Sequence, residues 1–510
     1  GPAEHGDRST EEIGAQVTSA RKDTERTRRR PRAEWIFLAL LLVAATGQRA
    51  WNAAAIPSLR GYDGPGHAAY VFTLVDEGRL PHPTEGWSTF HPPTYYVLGA
   101  GVWKLLAPLG PDVVQFGLRM IGALAGLLAA IVLYRCARSL GASGPTAWVA
   151  TALFLFVPSN QMAAVMIGNE ALCAAMAVLA IPPILALQAD PTNRRAACLA
   201  GLTIGLAIIT KYNSLPLLPA VLVPFVVRRP NPGTLAALAT LGVTLLIVAG
   251  PVYLRNFLVT GSPVPMTREI GPMQKTENSM IIRPRQVTDY LWIDPMAIRR
   301  PSLFQTGPLR ARLANRNPAM ANVWGLTHAS IWFDPFLHRT DDDFHRDGSP
   351  WGFLLATLGL VPAAGMLAGF FLAVGSAVRS RGRSRWTPLV VLWSFGVLLF
   401  LAFSLRAPSA AAIKGSYMLP IAGAGTLFFA RAATALVPRA RKALLIFSAC
   451  TAIWAGLFFT EKLFSNSPGT AEGFKRAWLT WSKQLPEANL DGTILYFFPE
   501  DGRGKKDPSG

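Results

Sequence analysis

Six charged side chains, Asp63, Glu170, Lys211, Arg255, Arg406 and Lys414, stand beside apolar runs in a 510-residue chain in which only 15% of residues are charged. A charge at membrane depth is expensive to bury and marks function when it is kept. Asp63 opens the stretch GYDGPGHAAYVFTLVD, residues 61–76, just past the first apolar run. A carboxylate at a partly dry interface has its pKa raised towards the working range, as a general base aimed at an acceptor hydroxyl or amine beside a lipid phosphate requires. The competing role is that of a helix cap, because His67, Tyr70 and Leu74 with Phe72 and Val75 have the spacing of a short interfacial helix that starts at Asp63. His67, one turn on, either assists the base or packs.

The elements that must position these residues are membrane spans. Apolar residues make up 51% of the chain, and about eleven apolar runs read as membrane spans, the first of them long enough to cross a hydrocarbon layer. They lie near 35–56, 118–138, 146–157, 171–187, 197–210, 215–227, 235–254, 351–374, 388–405, 416–433 and 443–459. This is an all-α polytopic membrane protein. The net charge of +19 resides in the N-terminal stretch 21–32 and in the connections Arg135/Arg138, Arg194/Arg195, Arg228/Arg229, Arg379–Arg385 and Arg439/Arg441/Lys442. All of these fall on one side if 93–109 does not cross, which is the positive-inside pattern. Residues 93–109 are therefore expected as a re-entrant or interfacial helix.

The expected organisation follows. Residues 1–34 form a disordered basic cytoplasmic tail, 35–461 the transmembrane module and 462–510 an extracytoplasmic tail. Outside the membrane lie a first loop, 57–117, with interfacial helices, and a large loop, 257–350, of a length that is usually functional. Charges distributed between spans, with no aromatic-interleaved basic groove, exclude nucleic acid as partner. The four cysteines, Cys136, Cys173, Cys198 and Cys450, sit in apolar spans without metal spacing and read as small core residues. High Ala, Arg, Gly and Pro usage suggests a GC-rich bacterial source.

Other features carry two readings each. His91-Pro92-Pro93-Thr94-Tyr95-Tyr96 starts a helix with its tyrosines at headgroup level, or lines a site. Asp341-Asp342-Asp343 with His338 and His345 can attract a divalent cation, or be a solvated charge run. Trp324, Trp332 and Phe333 can stack on sugar or lie on the membrane surface. No Gly-rich nucleotide loop is present, which favours a lipid-linked donor over a nucleotide sugar.

The order of motifs then matters. An acid after the first span, the HPPTYY stretch, Gly168-Asn169-Glu170 at a span start, Gly205-Leu206 running to Thr210-Lys211-Tyr212, and Tyr253-Leu254-Arg255-Asn256 before Gly261-Ser262-Pro263 resemble the GT-C integral-membrane glycosyltransferases. The nearest branch is the one that uses polyprenyl-phosphate sugars and includes protein O-mannosyltransferases and aminoarabinose transferases. The resemblance covers about residues 35–265 well and the rest weakly. It implies a GT-C type fold and a transferase that moves a monosaccharide from a polyprenyl-phosphate carrier to a glycan, lipid or protein acceptor at the extracytoplasmic face, with inversion. By position, Asp63 matches the acid of the first outer loop, although Gly64 follows where the family usually has a second acid. Glu170 matches the acid near sugar or acceptor, Lys211 a cation associated with donor phosphate, and Arg255 a cation at the head of the large loop. His67, His91, Tyr95, Asn169, Tyr212 and Asn256 are candidate substrate contacts.

The chemistry of the donor agrees. A lipid monophosphate leaves as an anion, so positive charge is needed where phosphate charge grows. Lys211, Arg255, Arg406 and Lys414 can supply it; snorkelling at span ends is the plainer explanation of any one of them. Arg49, near the outer end of the first span, reads as an interfacial cation with no such role. Two other functions fit a basic outer site less closely: a transporter or flippase for lipid-linked glycans, and an O-antigen-type polymerase or ligase with a diphosphate-linked donor.

Overall fold

The computed structural model describes residues 34–56, 63–86, 88–265, 285–295, 298, 322–333, 350–406 and 413–460. The tails, most of the large loop and the Asp341–Asp343 run with His338 and His345 lie outside the described residues. Residues 34–45, the start of the first helix, belong to a compact unit separate from the residues from 46 onward.

The regular elements among the described residues are all helices. In chain order they form α1 (Glu34–Ala55), α2 (Gly64–Asp76), α3 (Thr94–Leu106), α4 (Pro111–Ser139), α5 (Gly144–Phe156), α6 (Pro158–Ala164), α7 (Glu170–Ala189), α8 (Arg194–Ile208), α9 (Leu217–Val226) and α10 (Pro232–Thr260). After the large loop come α11 (Val323–Trp332), α12 (Pro350–Leu358), α13 (Leu360–Arg379), α14 (Thr387–Arg406), α15 (Leu419–Ala435) and α16 (Pro438–Phe458). Eight helical stretches among the described residues are long and apolar enough to cross a membrane. Of the other three expected spans, α5 and α9 are shorter apolar helices of 13 and 10 residues and α8 has 15. The third expected span stops at Val157, whose extended backbone separates α5 from α6 and turns the chain at Pro158.

The segment 93–109 folds as a short helix followed by a single tight turn. Helix α3 has 13 residues, about 20 Å at 1.5 Å per residue, against a hydrocarbon core of about 30 Å. It packs on α2 and α4 with Tyr95, Tyr96, Gly99 and Trp103 buried. Its first turn is tied to another helix end, since the Thr94 hydroxyl donates to the Ile209 carbonyl at 2.7 Å and the Tyr253 hydroxyl donates to the neighbouring Ile208 carbonyl.

The basic connections gather at one end. The Gln188 amide donates to the carbonyls of Gly382 and Ser384 at 2.9 and 3.0 Å, Arg228 donates to Gln188 O at 2.6 Å, and Arg385 reaches Ser139 O. Helix α7 runs from Glu170 to this cluster over 20 residues, about 30 Å, so the charged site residues occupy its opposite end.

Close approach of helices is set by glycine. Gly365 and Gly369, one turn apart on α13, face Phe428 and Phe429 of α15, and a methyl at Gly369 would collide with the Phe428 carbonyl. Small residues let membrane helices pack backbone to backbone, where dispersion replaces the missing hydrophobic drive. Gly369→Val is expected to lower the folded yield and cost at least the ~1–3 kcal/mol of an overpacked core, read as a lower midpoint of thermal aggregation in detergent. An unchanged midpoint would show that α13 and α15 do not meet there.

Several expectations are corrected by packing. Arg49 is fully buried and donates to Ala123 O at 2.9 Å and Leu155 O at 3.5 Å, so it does not snorkel. Arg119, also buried, donates to Ala53 O and Ile56 O at 2.8 and 2.6 Å and closes the end of α1. Trp332 and Phe333 are core residues: Trp332 lies against Gly359, where a side chain would strike its ring, and Phe333 packs on Phe458. The Trp324 ring nitrogen donates to Tyr290 O. Cys136 and Cys173 are buried as expected, whereas Cys198 and Cys450 are exposed on helix surfaces.

Candidate functional site

Four segments distant in sequence bring their charges together. Asp63 precedes α2 in the left-handed region, φ 58°, ψ 23°, and makes no side-chain capping bond. Aspartate is among the few residues that enter this region readily, because its short side chain bonds locally. Its Oδ2 lies 3.8 Å from Lys414 Nζ, with the aspartate side chain a third exposed and the lysine nearly covered. The capping role is thus not the one its side chain performs.

Lys414 is placed by the residue that follows it. The Gly415 amide donates to Ser330 Oγ at 2.7 Å, and a Cβ on Gly415 would stand 2.7 Å from Ile331 Cγ1 and 2.9 Å from Ile331 N. Glycine alone lets this turn lie flat on α11. The Tyr417 amide then donates to Lys414 O, and the Tyr417 ring comes within 5.8 Å of Lys211 Nζ.

Lys211 and Glu170 form the second pair. Helix α8 ends at Ile208, the Lys211 backbone is extended, and its side chain crosses to the start of α7. There Nζ donates to Glu170 Oε1 at 2.6 Å and to Asn169 Oδ1 at 3.2 Å, while Asn169 Nδ2 donates to Thr210 O at 3.1 Å. Both charged side chains are buried. Burial pulls the Lys211 ammonium down, but the Glu170 carboxylate outweighs it and holds Lys211 above the usual lysine value. Lys414 behaves alike: burial lowers it, Asp63 raises it, and the net shift is upward.

Two histidines stand between these pairs. His67 Nδ1 is 2.7 Å from the Tyr96 hydroxyl, and its ring stacks on His91 at 5.4 Å and on Tyr96 at 5.8 Å. Burial holds His67 below its usual value against the upward pull of Glu170 and Asp63, and depresses His91 further. Tyr96 is wholly buried, not at headgroup level. Tyr95 points elsewhere, its hydroxyl donating to Leu118 O at 3.2 Å.

Arg255 and Asn256 lie inside α10, which continues to Thr260, six residues past the expected end. Arg255 donates to the carbonyls of Leu80 and Pro81 at 3.2 and 2.7 Å, and Asn256 donates to the Tyr212 hydroxyl, which in turn donates to Phe90 O. These three residues grip the first loop ahead of His91. Arg406 is exposed at the end of α14. Arg255→Ala is expected to loosen residues 77–92 by about 1.5–3 kcal/mol, the worth of a charged hydrogen bond, read as faster proteolysis within the loop. Arg255→Lys should recover only part, because an ammonium cannot reproduce the guanidinium fork. Equal proteolysis of wild type and Arg255→Ala would remove Arg255 from this role.

Among the described residues no group of three His, Cys, Asp or Glu side chains is placed to hold a metal ion. Tyr96 and Gly168 lie in motifs that the sequence singles out, without having been named as site residues themselves; Tyr417 and Gly415 belong to the site with no such signal.

Comparisons with known proteins bear on this arrangement. Residues 99–230 match the family model described as dolichyl-phosphate-mannose-protein mannosyltransferase. No curated protein sequence matches the chain. Among solved structures, the Archaeoglobus fulgidus oligosaccharyltransferase tethered with an acceptor peptide is similar at 14% identity and TM-score 0.52, over 94% of this chain and 60% of that one. ArnT from Cupriavidus metallidurans bound to undecaprenyl phosphate aligns at 18% identity and TM-score 0.49, over 90% and 71%. The S. cerevisiae protein O-mannosyltransferase Pmt1-Pmt2 complex bound to the sugar donor aligns at 16% identity and TM-score 0.35, over 49% and 38%. Among the described residues every regular element is helical, eight are long and apolar enough to cross a membrane, and the chain shares the fold of the oligosaccharyltransferase, as expected of a polytopic membrane protein.

Proposed function

We propose that the chain is a membrane glycosyltransferase that moves a monosaccharide from a polyprenyl-phosphate carrier to a hydroxyl or amine acceptor, at the extracytoplasmic face. The observation that carries this reading is the meeting of Asp63 with Lys414 and of Glu170 with Lys211 at one end of α7, around two buried histidines and away from the basic connections. The family match over 99–230 and the undecaprenyl phosphate of the ArnT structure support the donor class. The positive-inside pattern supports the face.

In this reading Asp63, partly open, takes the acceptor proton as the acceptor oxygen or nitrogen attacks the anomeric carbon. The bond from that carbon to the phosphate oxygen breaks, and the polyprenyl phosphate leaves with the electron pair. Lys414 and Lys211 offset the charge that grows on it, which preorganised cations do most effectively in a water-poor site. Glu170 holds Lys211 in place and faces the sugar. Because Glu170 is bound to Lys211 it is a poor nucleophile, and a single displacement inverts the anomeric centre. Arg255 is engaged with the carbonyls of the first loop and Arg406 is exposed at the end of α14, so both are secondary candidates for the phosphate.

The test is turnover by the purified protein in nanodiscs with monophosphate-linked monosaccharides, followed as release of polyprenyl phosphate, with diphosphate-linked oligosaccharides in parallel. Release from the monophosphate donor alone is expected. Turnover of the diphosphate donor alone would move the chain to the polymerase or ligase class, and passage of intact donor between leaflets without cleavage would make it a transporter.

A further inference from the structure

The His67 ring has one nitrogen spoken for and one not. Its Nδ1 meets the Tyr96 hydroxyl at 2.7 Å, and this is the hydrogen bond that Tyr96 makes through its side chain. A buried phenol is costly if its proton has no acceptor, so the hydroxyl donates and Nδ1 accepts. The ring proton then resides on Nε2. That atom is buried and has no hydrogen-bond partner among the described residues.

What Nε2 faces is defined by Gly168. A Cβ built on Gly168 would lie 2.8 Å from Glu170 Oε2, 3.4 Å from His67 Cδ2 and 3.6 Å from His67 Nε2. Glu170 Oε2 and the unpartnered ring nitrogen therefore approach Gly168 from the same side, an approach that residue 168 permits because it has no side chain. The His67 amide donates to Asp63 O at 3.0 Å, which puts the proposed base one helical turn away.

We infer that His67, held with its proton on Nε2 by the Tyr96 hydroxyl, donates a hydrogen bond to a hydroxyl oxygen of the substrate seated beside Gly168, between Asp63 and Glu170. The inference rests on the transferase reading and adds a recognition contact to it. A hydroxyl suits the place because it accepts from Nε2 and donates its own proton to Glu170 Oε2, satisfying both. An anionic phosphate oxygen would leave Glu170 facing a like charge. The groups around the ring are Asp63, Glu170, His91, Tyr96, Lys211 and Lys414, and burial keeps the imidazole uncharged among them.

The test uses the full chain in nanodiscs with 15N-labelled histidine, the His67 signals being assigned by their loss in His67→Gln. The expected result is a ring protonated at Nε2 and bare at Nδ1, and a shift of the Nε2 proton on adding sugar donor or acceptor, the two arms telling which of them supplies the hydroxyl. A proton on Nδ1 would overturn the inference. So would a shift produced equally by polyprenyl phosphate alone, or no shift with any ligand while the wild type turns over. In transfer assays His67→Phe should lose roughly three- to tenfold in kcat/KM, the worth of one hydrogen bond, and His67→Gln, which keeps an N–H donor, should retain more. Equal losses in the two variants at equal yield would also count against it. Absence of turnover in the wild type with every donor would instead sink the transferase reading, without touching the tautomer.

Discussion

Asp63→Asn is expected to cut transfer by about 10²-fold or more while leaving the yield of folded protein unchanged. Residue 63 sits at φ 58°, and asparagine enters the left-handed region at least as readily as aspartate, so the backbone is not disturbed. No capping bond is lost, because the aspartate makes none to α2. What changes is the loss of a proton acceptor and of one charge beside Lys414. Asp63→Ala is the useful contrast: it removes the same base and adds backbone strain of about 1–2 kcal/mol, so its thermal midpoint should fall further than that of Asp63→Asn, which loses only the charge beside Lys414. Turnover of Asp63→Asn near the wild-type rate at saturating donor would rule out Asp63 as the base.

Breaking the Lys211–Glu170 pair should have the largest effect on stability. Removing one member leaves the other as an uncompensated buried charge, which costs about 3–5 kcal/mol. Lys211→Met is expected to lower the thermal midpoint sharply and to free Asn169 Oδ1 from its donor. Adding Glu170→Gln should restore most of the midpoint, since the stranded charge is gone, yet no transfer should return. If the double variant regains turnover, the pair is scaffolding and not part of the site. The pair also has a pH signature. With Lys211 held above its ordinary value of 10.5, the stability it contributes is fully present below that pH and is lost as pH rises through the folded value. Thermal midpoints of wild type should therefore hold to about pH 10 and fall beyond it, with a smaller fall in the double variant.

Much of this arrangement is legible in the chain because membranes impose simple rules. Arginines in short connections sort the helix ends into two groups, and that sorting is what sets 93–109 apart from the spans; α3, at 13 residues, is short, but so are α5 and α9. The juxtaposition of Lys211 with Glu170 is less direct, since nothing in spacing says that two residues 41 apart will meet; the order of motifs carried that. Where side chains turn inward or outward was not legible. Arg49 looks like an interfacial cation because its neighbours are apolar, but the carbonyls that receive it belong to α4 and α5. Arg255 looks like the head of a loop, but its helix runs on and its guanidinium finds carbonyls some 170 residues earlier, |i−j| = 174 for the shorter bond. Such contacts are set by tertiary neighbours, which periodicity does not encode.

Arg49 and Arg119 bear on how the chain is made. Each is a buried cation whose bonds go to backbone carbonyls of the other early helices: Arg49 of α1 to α4 and α5, Arg119 of α4 to the end of α1. An arginine left facing lipid at the middle of a single helix costs about 2.5–3.5 kcal/mol on insertion scales. During synthesis α1 emerges some seventy residues before the carbonyl at Ala123 that receives its arginine, |i−j| = 74. Near the end of its helix Arg49 can reach the interface until α4 arrives, and only then exchange it for the Ala123 carbonyl. The buried arginines thus set an order of assembly, in which the earliest helices join before the helices that complete the site are made.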